Sequence, residues 1–106
     1  MRLSQLSRVF ITHLHGDHVF GLVGLLASRA LAQGGTSPVA LYGPPALETY
    51  VRGSLHSTGS YFGFPVTYHT VRPGVVWEDE TFAVECAAVR HRCDAYAYAE
   101  IGRAHV

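Results

Sequence analysis

The chemistry of this chain is concentrated in six consecutive residues, His13-Leu14-His15-Gly16-Asp17-His18. Four of the six carry side chains that bind metals. On an extended backbone His13 and His15 point to the same side, and Leu14 between them turns into the core. Gly16 lets the chain swing without a Cβ clash, so that Asp17 and His18, at the beginning of a helix, aim at a second point in space. A carboxylate there also complements the positive helix end. The pattern suits two cations about 3.5 to 4 Å apart, which clamp the attacking and leaving oxygens of a hydrolytic displacement. Imidazole nitrogen with carboxylate oxygen selects zinc most often, with manganese or iron as alternatives. So many polar groups at a strand-to-helix junction have no packing motive and need partners if buried.

A third imidazole for the first metal is expected from His91, which follows a strand where that strand turns into a loop. The remaining histidines read differently. His56 falls near the end of a helix, where it can meet exposed carbonyls and the helix dipole. His69 lies within a strand beside Tyr68 and suits a surface or cross-strand role. Cys93 reads as a small buried or half-buried thiol rather than a thiolate ligand.

The elements that must position these residues follow from the pattern of apolar positions. Arg8 to Thr12 is a β-branched and aromatic run ending in the polar hexapeptide, as a buried strand leading into a functional loop does. Val19 to Leu31 reads as a helix covered on most sides, with Ser28 and Arg29 its first polar breaks. Val39 to Tyr42 is a second buried strand closed by Gly43-Pro44-Pro45, and Ala46 to Ser57 suits a helix with proline in its first turn. Thr58 to Pro65 is a glycine-rich aromatic loop. Val66 to Val71 and Thr81 to Val89 read as strands joined through a turn and acidic run from Pro73 to Glu80, and Ala95 to Glu100 begins another. This order predicts an α/β or α+β layered fold.

Composition bounds the possibilities. The 106 residues are 48% hydrophobic and 15% charged with zero formal net charge, which describes one small globular unit. The longest uncharged apolar stretch, Val19 to Ser28, is roughly half of what a bilayer requires, so no membrane association is expected. The start lacks an apolar signal region, which makes a cytoplasmic location the default. Two cysteines form no disulfide framework. Neutrality gives no basic surface from which to argue nucleic-acid binding, so attraction of a polyanion would have to come from metal ions or from elements outside this chain.

The His-x-His-x-Asp-His pattern after a buried strand resembles that of the metallo-β-lactamase superfamily. Its continuation, Phe20-Gly21-Leu22-Val23-Gly24-Leu25-Leu26-Ala27-Ser28-Arg29, is similar to the ribonuclease Z family of tRNA 3'-end processing endonucleases, as are Leu41-Tyr42-Gly43-Pro44, Gly59-Ser60-Tyr61 with Phe64-Pro65, and Val89-Arg90-His91 followed by Tyr96-Ala97-Tyr98. The likeness runs over roughly residues 3 to 99. It implies a four-layer αββα sandwich, here in part, with a mixed sheet and helices packed on it, and commonly a homodimer. It also implies that His13, His15 and His91 hold one zinc, that Asp17 and His18 contribute to a second, and that Asp17 orients the attacking water as a catalytic residue. The substrate so implied is a precursor tRNA, cut after the discriminator nucleotide to leave a 3'-hydroxyl.

The resemblance also marks departures. The family's opening strand pair and further glycine-rich loop have no counterpart before Met1. Its bridging aspartate, another histidine ligand, a histidine general acid and a tRNA-gripping arm have none after Tyr98. The expectation is a truncated chain, able to form one zinc site rather than the full pair, and weakly active or inactive by itself. Residues 1–100 read as a partial metallo-β-lactamase domain and 101–106 as a non-native adapter-derived tail, which leaves His105 without a role. Two rivals remain: another hydrolase of the superfamily acting on a thioester, lactone, sulfate or cyclic-nucleotide ester, and a noncatalytic metal-binding fragment.

Overall fold

The structure, a computed structural model, describes residues 5–12, 14, 16–32, 35–89 and 95–102, with the backbone alone described at 16–20, 89, 95, 97, 101 and 102. In chain order these form β1 (Arg8–Phe10), α1 (Gly16–Leu31), β2 (Val39–Gly43), α2 (Leu47–Thr58), β3 (Val66–Thr70), β4 (Gly74–Glu78), β5 (Phe82–Val89) and β6 (Ala95–Gly102). Parallel and antiparallel pairing are segregated. One three-stranded sheet runs β1-β2-β3 with parallel neighbours, and a second runs β4-β5-β6 with antiparallel neighbours.

Alternation along the parallel strands sorts their side chains into two cores. Val9, Ile11, Val39, Leu41, Val66 and Tyr68 pack with Leu22 and Leu26 of α1 and Leu47 and Val51 of α2. The intervening Phe10, Ala40 and Tyr42 pack with Val76, Trp77, Cys86, Tyr96 and Tyr98 of the antiparallel sheet. The described residues therefore build three layers: helices, parallel sheet, antiparallel sheet. A parallel sheet covered on both faces needs strands without polar breaks, which is why β2 reads Val-Ala-Leu-Tyr-Gly. Val39, Leu41, Leu26 and Val51 are essentially sealed from water, and burial of each such side chain contributes about 1.5 to 3 kcal/mol.

α2 ends where Gly59 turns left-handed (φ 64°); its N–H donates to the His56 carbonyl and that of Ser60 to the Leu55 carbonyl. Backbone donors thus satisfy the terminal carbonyls that were expected to attract His56. The His56 side chain is exposed in the last turn, where a cation would still complement the dipole.

Three expectations need correction. The segment from Pro73 to Glu80 is not all loop, because Gly74–Glu78 forms β4. The flanking proline, glycine and acidic residues hid the Val75-Val76-Trp77 run, while the turn itself is confined to residues 79–81. There Asp79 Oδ1 accepts the N–H groups of Thr81 (2.8 Å) and Phe82 (2.7 Å). Second, α1 is not covered on most sides. Leu22, Leu26 and Arg29 form one buried stripe at helical spacing, whereas Gly21, Gly24, Leu25, Ala27 and Ser28 are exposed.

The third correction concerns Arg29, read as a polar break in the apolar helix and found fully buried. Its Nε donates to the Leu6 carbonyl (2.9 Å), one terminal nitrogen to Ser37 Oγ (2.8 Å) and the other to the Gly35 carbonyl (3.4 Å). The guanidinium lies 4.5 Å from the centre of the Phe64 ring. A rigid fork of donors can satisfy several carbonyls at once and still stack on an aromatic face, which a lysine ammonium cannot. Arg29 thereby ties the end of α1 to the approach to β1, the loop before β2 and the aromatic loop before β3.

β6 continues through Ile101 and Gly102, which pair with Ala83 and Phe82. Among the described residues no helix is long and apolar enough to cross a membrane. Replacing Arg29 with Met keeps the apolar stem but leaves the Leu6 and Gly35 carbonyls without this donor. The expected loss is about 2 to 4 kcal/mol, read as a lower urea midpoint with an unchanged m-value.

Candidate metal centre

The sequence-predicted ligands fall on two chain segments, and the structure shows how those segments meet. β1 ends at Phe10, but Ile11 makes one more bond to β2 and Thr12 bonds to the second sheet. Ile11 N–H donates to the Tyr42 carbonyl (2.8 Å), and the Thr12 carbonyl accepts the N–H of Tyr96 in β6 (2.8 Å). The Ile11 carbonyl accepts the phenol O–H of Tyr98 (2.7 Å). The end of the parallel sheet is therefore stitched to β6 of the antiparallel sheet, and the residues stitched immediately precede His13.

Ile11 itself is buried in the helix-side core. β2 passes so close that a Cβ on Gly43 would stand 3.2 Å from Ile11 Cβ and 2.9 Å from Leu47 Cδ2. A side chain at 43 would thus make Ile11 give way slightly and the tip of Leu47 move. Beyond Thr12, Leu14 is half-buried and packs against the helix-side core, as the alternation of the hexapeptide requires. α1 begins at Gly16 rather than Val19, which sets Asp17 and His18 in its first turn.

His13, His15 and His91 lie outside the described residues, as does Cys93, and the side chains of Asp17 and His18 are not described. Among the described residues no group of three His, Cys, Asp or Glu side chains is placed to hold a metal. What is described is the frame. The connection from Val89 to Ala95, paired with each other across the β5–β6 hairpin, contains His91. The other side of that hairpin bonds to Thr12 one residue later, at Tyr96. The donor types these residues carry, imidazole nitrogen and carboxylate oxygen, are those a divalent zinc-type cation takes.

His69 is exposed on β3, stacked on Tyr42 at 4.6 Å between ring centres, with Nε2 3.0 Å from Thr67 Oγ1. This is the cross-strand role anticipated for it, since Tyr42 is its register partner. Two surface hollows lie elsewhere. One, about 450 Å³, is bordered by Arg52, Leu55, Tyr61, Phe64 and Tyr68; the other, about 350 Å³, by His69, Arg72 and Val75 among others. Neither includes Ile11, Thr12, Leu14 or a residue of β6.

Sequence reasoning did not single out Tyr98 as a linker between the sheets. The available signal was the two-residue spacing of Tyr96 and Tyr98, which puts two amphipathic rings on one face of a strand. Burial, with smaller contributions from Cys86 and Tyr96, pushes the Tyr98 phenol well above the usual tyrosine range, so it is held as a donor. Burial likewise pushes the Cys86 thiol up.

Residues 2–91 match the metallo-beta-lactamase superfamily. The chain belongs to that superfamily. Within it, the chain is 51% identical over 98 residues to ribonuclease Z of Cyanothece sp. and 50% identical over 98 residues to that of Trichodesmium erythraeum, covering 92% of this chain and 30% of each relative. It is a ribonuclease Z homologue that spans about 30% of the length of the curated relatives it matches. The crystal structure of human tRNase Z, short form, shares its fold with a TM-score of 0.84 at 24% identity, covering 97% of this chain and 46% of that one. The metallo-β-lactamase fold of this chain is also seen in YhfI of Bacillus subtilis, with a TM-score of 0.67 at 16% identity, covering 93% and 39%.

Two outcomes test the frame. Gly43→Ala must push Ile11 and Leu47 apart, and should cost about 1 to 3 kcal/mol in chemical denaturation. Cys86 and Tyr98 both lose their protons more readily in the unfolded chain than in the folded one. Their contribution to stability is therefore complete below the ordinary thiol value of 9.0 and is lost as pH rises past it and past 10.0 for the tyrosine. The urea midpoint should fall as pH rises above 9.0, and Tyr98→Phe should lessen the later part of that fall, to which the Tyr68 phenol, also pushed up by burial, contributes.

Proposed function

We propose that this chain is the part of a zinc-dependent endoribonuclease that carries the first metal site, in an enzyme that removes the 3' trailer from tRNA precursors by phosphodiester hydrolysis. The observation that carries the reading is the identity of about half its residues with ribonuclease Z over 92% of the chain, a span that includes His13, His15, Asp17, His18 and His91. The junction of Thr12 with β6 supports it from the structure, because it joins the two segments that the site would need.

In this reading His13, His15 and His91 hold one zinc, and Asp17 and His18 serve a second. When bound, the ions supply Lewis acidity toward the phosphodiester and lower the pKa of the attacking water. The chain's own residues do the positioning. The three imidazoles would hold the first ion through ring nitrogens, and the Asp17 carboxylate, at the start of α1, would accept a hydrogen bond from the attacking water and set its direction. Leu14, anchored in the core, fixes the backbone between the two histidines. Precursor tRNA is the substrate. A homodimer belongs to the same reading, and Leu25 and Leu31 offer exposed apolar surface on α1.

Calorimetric titration of the chain with zinc should give one ion per chain, lost in His13→Ala. A longer polypeptide containing this segment should cut precursor tRNA at the 3' trailer, and His13→Ala in it should lower the rate by at least about 10³-fold, as removal of a metal-site group does. Hydrolysis of thioesters, lactones or sulfate esters with precursor tRNA left intact would overturn the assignment.

A further inference from the structure

We propose that Tyr98 is a positioning residue for the metal centre, acting through the Ile11 carbonyl. The inference rests on the metal-binding reading above. Three features of the structure carry it. Tyr98 O–H donates to Ile11 O at 2.7 Å across a sequence separation of 87 residues. Ile11 stands two residues before His13, and Tyr98 stands on the strand that leaves the His91-containing connection. The ring is itself held, 5.3 Å from the centre of Phe10 in β1 and opposite Cys86 in β5.

The Tyr96 N–H to Thr12 carbonyl bond runs beside it, but a single backbone bond, with ring packing around it, fixes direction less tightly than two. The phenol supplies a second point of attachment one residue away, and two points define an orientation. A buried tyrosine that stays protonated provides this bond throughout the neutral range. Through it the strand end that continues into His13 and His15 is fixed relative to the hairpin that contains His91. Outer groups that orient ligands in this manner commonly change metal affinity 10- to 100-fold when removed.

The test is cobalt binding to the chain, followed by visible absorption and by competition with a chelator. Tyr98→Phe keeps the ring and its packing on Phe10 and removes the donor. It should retain the wild-type far-UV circular dichroism, bind cobalt about 10- to 100-fold more weakly and show altered d–d bands. Replacing Tyr98 with 4-aminophenylalanine restores an N–H donor on the same ring and should restore the wild-type affinity and bands. Val84→Ala, a buried change in β5 away from Ile11, controls for lost stability and should leave the bands unchanged. Equal affinity and bands in Tyr98→Phe and wild type would overturn the proposal, as would Val84→Ala reproducing the Tyr98→Phe spectrum or Tyr98→Phe failing to fold. Absence of cobalt uptake by the wild-type chain would instead remove the metal reading itself, and this inference with it.

Discussion

The stitching of residues 11 and 12 to β6 is the constraint on which the rest of the candidate centre depends. Ile11 gives its N–H to Tyr42 and its carbonyl to Tyr98, while Thr12 gives its carbonyl to Tyr96. Three strands from two sheets thus converge on two residues. The Ile11 side chain anchors the same point in the helix-side core, and Gly43 clears the space beside it. A metal centre made from both segments needs such a junction, because ligands on separate sheets keep a fixed spacing only if the sheets cannot slide over one another.

The fold follows the same economy. β1 and β2 each serve two cores, so that one residue in the pair Ile11 and Phe10 faces the helices and the other the second sheet, whereas Thr67 and His69 of β3 are exposed. Rings line the inter-sheet side: Phe10 stacks on Tyr42 at 4.8 Å and Tyr42 on His69, in the register order of β1, β2 and β3. At the edge of this layer the Arg8 guanidinium sits 4.1 Å from the Trp77 ring, joining β1 to β4. Arg29 does the corresponding work on the helix side. Its side chain, with the Gly35 N–H bond to the Ala32 carbonyl, holds the loop at residues 35–37 against the end of α1.

Much of this was legible in the residues. The strand, helix and strand order through β3 followed from apolar periodicity, and His69 from its place beside Tyr68. The hexapeptide pointed to the superfamily, which the comparisons bear out. Other features were not legible for definite physical reasons. β4 was hidden because a three-residue apolar run between turn formers carries little periodic signal. Arg29 was misread because its burial depends on the carbonyls of Leu6, 23 residues back, and of Gly35, 6 residues on, neither of which a helical wheel shows. The exposed face of α1 escaped because glycine and alanine score as apolar while contributing little to burial. The ligand assignments of His13, His15, Asp17, His18 and His91 remain readings of sequence and kinship, supported by the frame beside them.

The 87-residue separation between Ile11 and Tyr98 has a kinetic meaning. The β4–β5–β6 meander is made of neighbours in sequence, and can zip up early at small entropic cost, whereas each parallel pairing must first close a loop the length of a helix and its connections. The bridge from β6 back to Ile11 spans nearly the whole chain, and so falls among the last contacts to form. The junction between residues 11–12 and β6 is therefore completed only when the two sheets dock, after the meander has formed.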